Sequence, residues 1–280
     1  MLNALLRFAC LKPRAMPSTN PILLIGAGKM GQAMLKGWLD AGFSSIQVLE
    51  NYPSDTLSSL AIELNPADII TDENQCVILA VKPQNYREVL DEHLANIHPE
   101  AMVVSILAGI PLSALQNALP GRRIVRAMPN TPATIGQGLT ALCSGSDISA
   151  MHKDFATRLV QAVGEVVWVD DEAMIDAVTA VSGSGPAYLF HFVEALTAAA
   201  IDVGFAPDMA EIFARKTITG SAALLENSKE DAAQLRENVT SKGGTTQAAL
   251  DVLMDEPGLR SLMREAVRAA KKRSEDLSKI

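Results

Sequence analysis

Up to about residue 170, short apolar runs alternate with helically spaced stretches; beyond it, every apolar pattern is helical. The runs at 22–25, 46–49, 76–81, 102–106, 124–128, 139–143 and 166–169 are too short for helices and rich in branched residues, which predicts buried strands. Helical spacing lies between them at 32–39, 55–63, 86–95, from Pro111 onward, and at 155–163. Repeated β–α units of this kind imply an α/β fold with a largely parallel, doubly wound sheet covered on both faces. In the second half the spacing predicts helices over 186–203 and 207–226, around Gln234, over 247–253 and from about Leu259. Pro186 and Pro207 at helix starts, and Gly204 past an end, are appropriate boundary residues. The stretch 186–203 is hydrophobic nearly all round, so it must be covered on every side, within its domain or by a partner chain. That makes His191 a core histidine rather than a base. The expected organisation is an N-terminal extension at 1–20, an α/β domain at 21–170 and an all-helical domain at 171–280.

Composition narrows the function classes. The chain has 280 residues, of which 48% are hydrophobic and 20% charged, an ordinary globular profile. A net charge of −8 argues against nucleic acid as a partner. No apolar run approaches the ~20 residues that span a membrane. Cys10, Cys76 and Cys143 lie far apart without C-x-x-C spacing, and His93, His98, His152 and His191 lack ligand spacing. Both facts point to a reducing compartment and no metal. Residues 1–20 carry Arg7, Lys12 and Arg14 and no acid, but no small-residue cleavage site follows an apolar core. A disordered extension on a cytoplasmic protein is the expectation.

The candidate chemistry begins at Gly26-Ala27-Gly28-Lys29-Met30-Gly31, between a predicted strand and a predicted helix. In that context a G-x-G-x-x-G match reads as a Rossmann-type dinucleotide turn. Gly26 would allow the tight turn, Gly28 the approach of a pyrophosphate, and Gly31 close packing of helix on strand. Glu50 ends the second strand, where an acid normally binds the adenosine ribose hydroxyls and favours NADH over NADPH. Asn51, Tyr52 and Ser54 offer neutral hydrogen bonds that soften this preference, so NADPH stays open. Lys82, after the strand at 76–81, reads equally as functional (a catalytic cation or a phosphate contact) or as merely a solvated loop residue. Pro129-Asn130-Thr131-Pro132 fixes a polar loop at another strand end. Asp170-Asp171-Glu172 reads as helix capping. Gly243-Gly244-Thr245-Thr246 precedes a helix start, a backbone-donor pocket suited to a carboxylate or else a flexible turn.

In order, GAGKMG, AVKP at 80–83, RAMPNTP at 126–132, VSGSGPAY at 181–188 and GGTT at 243–246 resemble the pyrroline-5-carboxylate reductase family across nearly the whole chain from Pro21. The resemblance implies reduction of 1-pyrroline-5-carboxylate to L-proline with NAD(P)H, the last step of proline biosynthesis. It also implies a Rossmann domain followed by an all-helical dimerisation domain that interleaves with a second subunit; in some members the dimers form pentamers of dimers. Carried over by position, Ile25, Gly26, Ala27, Gly28, Lys29 and Met30 with Ala80, Val81, Lys82 and Pro83 would hold the cofactor. Ile106, Leu107 and Ala108 would lie along its nicotinamide. The Gly243, Gly244 and Thr245 backbone would bind the substrate carboxylate, and the catalytic Thr246 hydroxyl would face the ring nitrogen, with Ser182 and Ser184 nearby. Two departures stand out: Lys242 replaces the family's usual proline, and Glu50 sits where many relatives tolerate a 2′-phosphate. Two other readings compete, a hydroxyacid dehydrogenase and a non-catalytic NAD(P)-binding regulator. The first would need a Lys or His base that Ser182–Tyr188 does not supply. The second has no use for the 129–132 and 243–246 loops.

Overall fold

The computed structural model describes residues 20–60 and 62–278, so the extension at 1–20 lies, Asn20 aside, outside the described residues. The chain divides into two compact units: residues to Gly183 together with those from Lys271, and Ser184–Ala270.

The first unit is built on one eight-stranded sheet. Its elements are β1 (Ile22–Ile25), α1 (Lys29–Asp40), β2 (Ile46–Leu49), α2 (Asp55–Ser58), β3 (Glu63–Leu64), β4 (Cys76–Leu79), α3 (Tyr86–His93), β5 (Met102–Ser105), α4 (Leu112–Ala118), β6 (Arg123–Met128), β7 (Gly138–Ser144), α5 (Ala150–Gln161), β8 (Gly164–Trp168) and α6 (Ala173–Val178). The strand order is β3-β2-β1-β4-β5-β6-β7-β8. Neighbours pair in parallel except β6 with β7. The exception follows from chain length: a parallel return needs a crossover of about a dozen residues or more, and 129–137 is too short for one. Alternating side chains feed two cores. Ile22, Leu24, Val48, Ile78 and Val104 pack with Trp38 and Phe155 on one face, and Leu23, Ile25, Val77, Leu79 and Val103 with Leu90 and Leu115 on the other. Burial on both faces is why these strands read as apolar runs, broken in β2 by the buried Gln47. Trp38 is fully buried and satisfied, its indole N–H donating to the Leu159 carbonyl at 2.8 Å.

The predicted helix at 55–63 stops early. Ser54 caps it, its hydroxyl accepting from the Leu57 N–H, but only Leu57 is buried. With so little apolar face to hold a longer helix, the chain turns at Ser59 and Glu63–Leu64 joins β2 as an edge strand. The acids at 170–172 divide their roles. The Asp171 carboxylate accepts from the Ala173 N–H at the start of α6. Glu172 instead accepts at 2.7 Å from both the buried Arg126 guanidinium and the Leu112 N–H, tying β6, α4 and α6 together. Burial raises the thiol pKa of Cys76 and of Cys143, the latter helped by Glu172, so neither is a ready nucleophile.

The second unit is helical: α7 (Gly185–Asp202), α8 (Pro207–Asn227), α9 (Ala232–Asn238), α10 (Thr245–Met254) and the first part of α11 (Leu259–Leu277). No residue of α7 is buried in the single chain, and of α8 only Ala210 and Ala214 are. Phe190 is 62% exposed and Ile212 likewise. His191, expected in a core, has a side chain that is 83% exposed, paired with Glu194 at 3.1 Å. No helix among the described residues is long and apolar enough to cross a membrane.

Removing one partner of a buried ion pair strands the other charge, at a cost of about 3–5 kcal/mol. Glu172→Ala is therefore expected to lower unfolding free energy in urea by about 3 kcal/mol, and a change under about 0.5 kcal/mol would contradict this role.

Candidate active site

The sheet register brings the expected cofactor residues to one edge. Ile25 is level with Leu49 on one side and Leu79 on the other, and Leu79 with Ser105. The segments after β1, β4 and β5 thus leave the carboxyl edge side by side, where the strand order reverses between β1 and β4. That crevice is where ligands bind in doubly wound sheets. The ladder runs one residue further: the N–H groups of Gly26, Ala80 and Ile106 donate to Leu49, Ile25 and Leu79 at 2.8, 2.8 and 3.0 Å.

Each glycine of the turn has its own task. Gly26 has φ +88, and a Cβ there would lie 2.7 Å from Val81 Cγ1 and 2.9 Å from the Ala80 carbonyl. Only glycine takes that conformation against β4 without strain. A Cβ on Gly31 would lie 2.6 Å from the Gly26 carbonyl oxygen, so α1 is docked directly on the turn. At Gly28, the residue preceding α1, a Cβ would meet nothing within 4 Å. The first turn of α1 carries no acid and no side-chain cap. Open space in front of a helix N-terminus suits a pyrophosphate, so these residues fit a dinucleotide.

Glu50 closes one side of the turn. Its Oε2 accepts from the Ala27 N–H at 2.6 Å, and its Oε1 from the Tyr52 N–H at 3.0 Å. The Gln32 side chain donates to the Ala27 carbonyl at 2.7 Å, so Ala27 is held through both its N–H and its carbonyl. Lys82 is exposed and precedes the 3₁₀ turn Pro83–Asn85. Ile106, Leu107 and Ala108 leave β5 past the buried Ser105, whose hydroxyl accepts from the Leu107 N–H at 3.3 Å.

On the other side of β5, the proline-bracketed loop is anchored by Asn130. Its side-chain amide donates to the Ser182 hydroxyl at 3.0 Å, and its Oδ1 accepts from the Leu139 N–H at 2.9 Å. Ser182 lies in a π-helical turn, Thr179–Gly183, that continues α6. Gly183 permits it to come close to β6, since a Cβ there would be 3.0 Å from Met128 Cε. The SGSG segment opens a long helix as expected, with Ser184 preceding α7 and Gly185 its first residue; its first half, Ser182 and Gly183, closes the wide turn, a form often found at functional sites. The sequence pattern marks the 129–132 loop but not the Asn130–Ser182 link. Two prolines framing an asparagine are the one available signal for it.

Ser184, Gly243, Gly244, Thr245 and Thr246 belong to the second unit. Gly243 has φ +73 and Gly244 caps α10, with its N–H donating to the Ser241 carbonyl at 3.0 Å. Thr245 and Thr246 form the first turn of α10, which holds no acid. A positive-φ glycine before a helix start with no side-chain cap leaves the N–H groups of the first turn without a side-chain partner, a geometry suited to a carboxylate.

Residues 21–109 match the family model described as NADP oxidoreductase coenzyme F420-dependent. With the glycine turn and mostly parallel sheet, this defines a Rossmann-type, NAD(P)H-dependent oxidoreductase. Residues 172–277 match the model for pyrroline-5-carboxylate reductase dimerisation. A pyrroline-5-carboxylate reductase of Pseudomonas aeruginosa is 38% identical, covering 93% of this chain and 98% of that one. The structure of such a reductase from Coxiella burnetii superposes with a TM-score of 0.82 at 32% identity, over 94% of this chain and 100% of that one. The Plasmodium falciparum enzyme, solved with NADP bound, shares the fold at a TM-score of 0.79 and 24% identity, over 94% and 99%. The chain belongs to the pyrroline-5-carboxylate reductase family.

Gly31→Ala pushes a methyl group into the Gly26 carbonyl. Overpacking of this kind costs about 1–3 kcal/mol of folding stability, so Gly31→Ala is expected to lower the unfolding free energy in urea by that amount and, by displacing the turn, to raise the KM for NADH. An unchanged KM would show that the turn does not bind the dinucleotide.

Proposed function

We propose that this chain reduces 1-pyrroline-5-carboxylate to L-proline as a cytoplasmic homodimer that prefers NADH to NADPH, with the 243–246 loop holding the substrate. The observation that carries the cofactor preference is the Glu50 carboxylate at 2.6 Å from the Ala27 N–H. Each carboxylate oxygen accepts one backbone N–H and keeps a further lone pair, which suits the two hydroxyls of an adenosine ribose. A 2′-phosphate would bring a second anion to the same place with both N–H donors already taken. The homodimer is supported by the uncovered apolar faces of α7 and α8, since patches of that kind mark interaction surfaces. The cytoplasmic assignment rests on Cys76 and Cys143 being free.

A dinucleotide held by the glycine turn would supply the hydride that reduces the C=N bond of the ring. The protein's part is placement. In this reading the backbone of Gly243, Gly244 and Thr245 cradles the substrate carboxylate, with the Gly243 and Thr245 N–H groups as donors because the Gly244 N–H is taken by the Ser241 carbonyl, and Lys242 adds a cation beside it. The Thr246 hydroxyl faces the ring nitrogen and keeps the protonated imine oriented, with Ser182 and Ser184 lining the ring. A protonated imine is already an electrophile, so no strong acid is required. Holding the reacting carbons at about 3–3.5 Å supplies much of the rate, since orientation is worth ~7–11 kcal/mol.

NADH oxidation followed with the imine, with a 2-oxoacid (the oxidised partner of a 2-hydroxyacid) and with neither separates this reading from its rivals; no oxidation with the imine and either cofactor would overturn it. Thr246→Val is expected to cut kcat by about tenfold or more while changing the NADH dissociation constant less than about twofold. Unchanged turnover would remove Thr246 from the reaction.

A further inference from the structure

We propose that Asn65 is the positioning residue that sets Glu50 in place and, through it, the discrimination between a ribose hydroxyl and a ribose phosphate. This role rests on Glu50 reading the ribose, as proposed above.

The β2–β3 pairing runs out before Glu50: the last register pair is Val48 with Leu64. The Asn65 N–H still donates to the Val48 carbonyl at 2.8 Å. There the chain leaves the strand, because Asn65 takes φ +46, a left-handed conformation for which asparagine is among the few tolerant residues. That twist turns its amide back onto the main chain of Glu50. Asn65 Oδ1 accepts from the Glu50 N–H at 2.9 Å, and Nδ2 donates to the Glu50 carbonyl at 2.8 Å. The side-chain amide stands in for the next peptide of the missing edge strand and extends the sheet by one residue.

The consequence falls on the carboxylate. Glu50 is half-buried, and beyond it the chain is irregular as far as α2. Asn65 thus clamps the N–H and carbonyl of Glu50 while Ala27 and Tyr52 hold its carboxylate oxygens, so the residue is tied at both its main chain and its side chain. Hydrogen bonds weaken steeply with misalignment, so releasing the backbone of Glu50 loosens the carboxylate from the glycine turn. Asn65 meets Glu50 at its main chain, which makes it a residue that acts through another.

The test measures kcat and KM for NADH and NADPH, at saturating imine, in the wild type, Asn65→Gly, Glu50→Gln and the double variant. Glycine keeps the left-handed backbone and removes the amide. Asn65→Gly is expected to raise the KM for NADH about fivefold, with kcat within about twofold, and to narrow the gap to NADPH. On a Glu50→Gln background the same change should add nothing, because the two residues act as one unit. An equal effect in both backgrounds would overturn the positioning role while leaving Glu50 as the reader of the ribose. If Glu50→Gln itself leaves the NADH-to-NADPH ratio unmoved, the reading of Glu50 fails and this proposal with it. Should Asn65→Gly lose its fold, Asn65→Asp keeps the acceptor for the Glu50 N–H and loses the donor. A smaller shift in the same direction supports the proposal, and wild-type discrimination overturns it.

Discussion

The contact on which the cofactor half of this protein depends is the approach of the Gly26 backbone to the end of β4. A side chain at that position would overlap Val81 and the Ala80 carbonyl, and the φ of +88 is one that L-residues with a Cβ rarely adopt. Because the backbone passes so close, β1 and β4 end level and the chain reverses immediately into α1. The same turn leaves the Ala27 N–H pointing at Glu50 and the helix start open beyond Gly28. Gly31 then lets α1 rest on the turn itself. Glycine at three positions produces a rigid cradle, and the apolar strands beneath hold it from both faces.

Around this cradle, polar side chains serve mainly to position main chain. Glu50 holds Ala27, Asn65 holds Glu50, Asn130 holds Ser182 and the start of β7, and Glu172 joins Arg126 to the start of α4. These residues stand at strand or helix ends, where backbone groups lack a ladder partner and a side-chain amide or carboxylate substitutes for one. A reaction that needs placement more than acid–base strength is consistent with such a frame.

Much of this is legible in the residue pattern, for physical reasons. Strands buried on both faces leave apolar runs, unbroken in β1 and β4 and interrupted only by Gln47 in β2 and Arg126 in β6, so these strands stand out together with β5, and glycines that must lack a Cβ stand out beside them. What stays hidden depends on contacts distant in sequence. Glu63–Leu64 is too short to show a period and is a strand only because β2 offers an edge. Glu172 looks like a cap until Arg126, 46 residues earlier, meets it. His191 lies on an apolar helix, a pattern that points to a core, yet α7 packs on α8 with none of its residues fully buried among the described residues. An all-apolar helix shows that a cover exists without showing whose it is.

The glycine turn fits a dinucleotide of either kind; on the proposed reading, the carboxylate of Glu50, hydrogen-bonded to the Ala27 and Tyr52 N–H groups, is what selects between them. Calorimetric titration of NADH and of NADPH into the unmodified protein tests that claim most directly. The expected result is a dissociation constant for NADH lower by about tenfold or more, about 1.4 kcal/mol. Equal affinity, or tighter binding of NADPH, would contradict it.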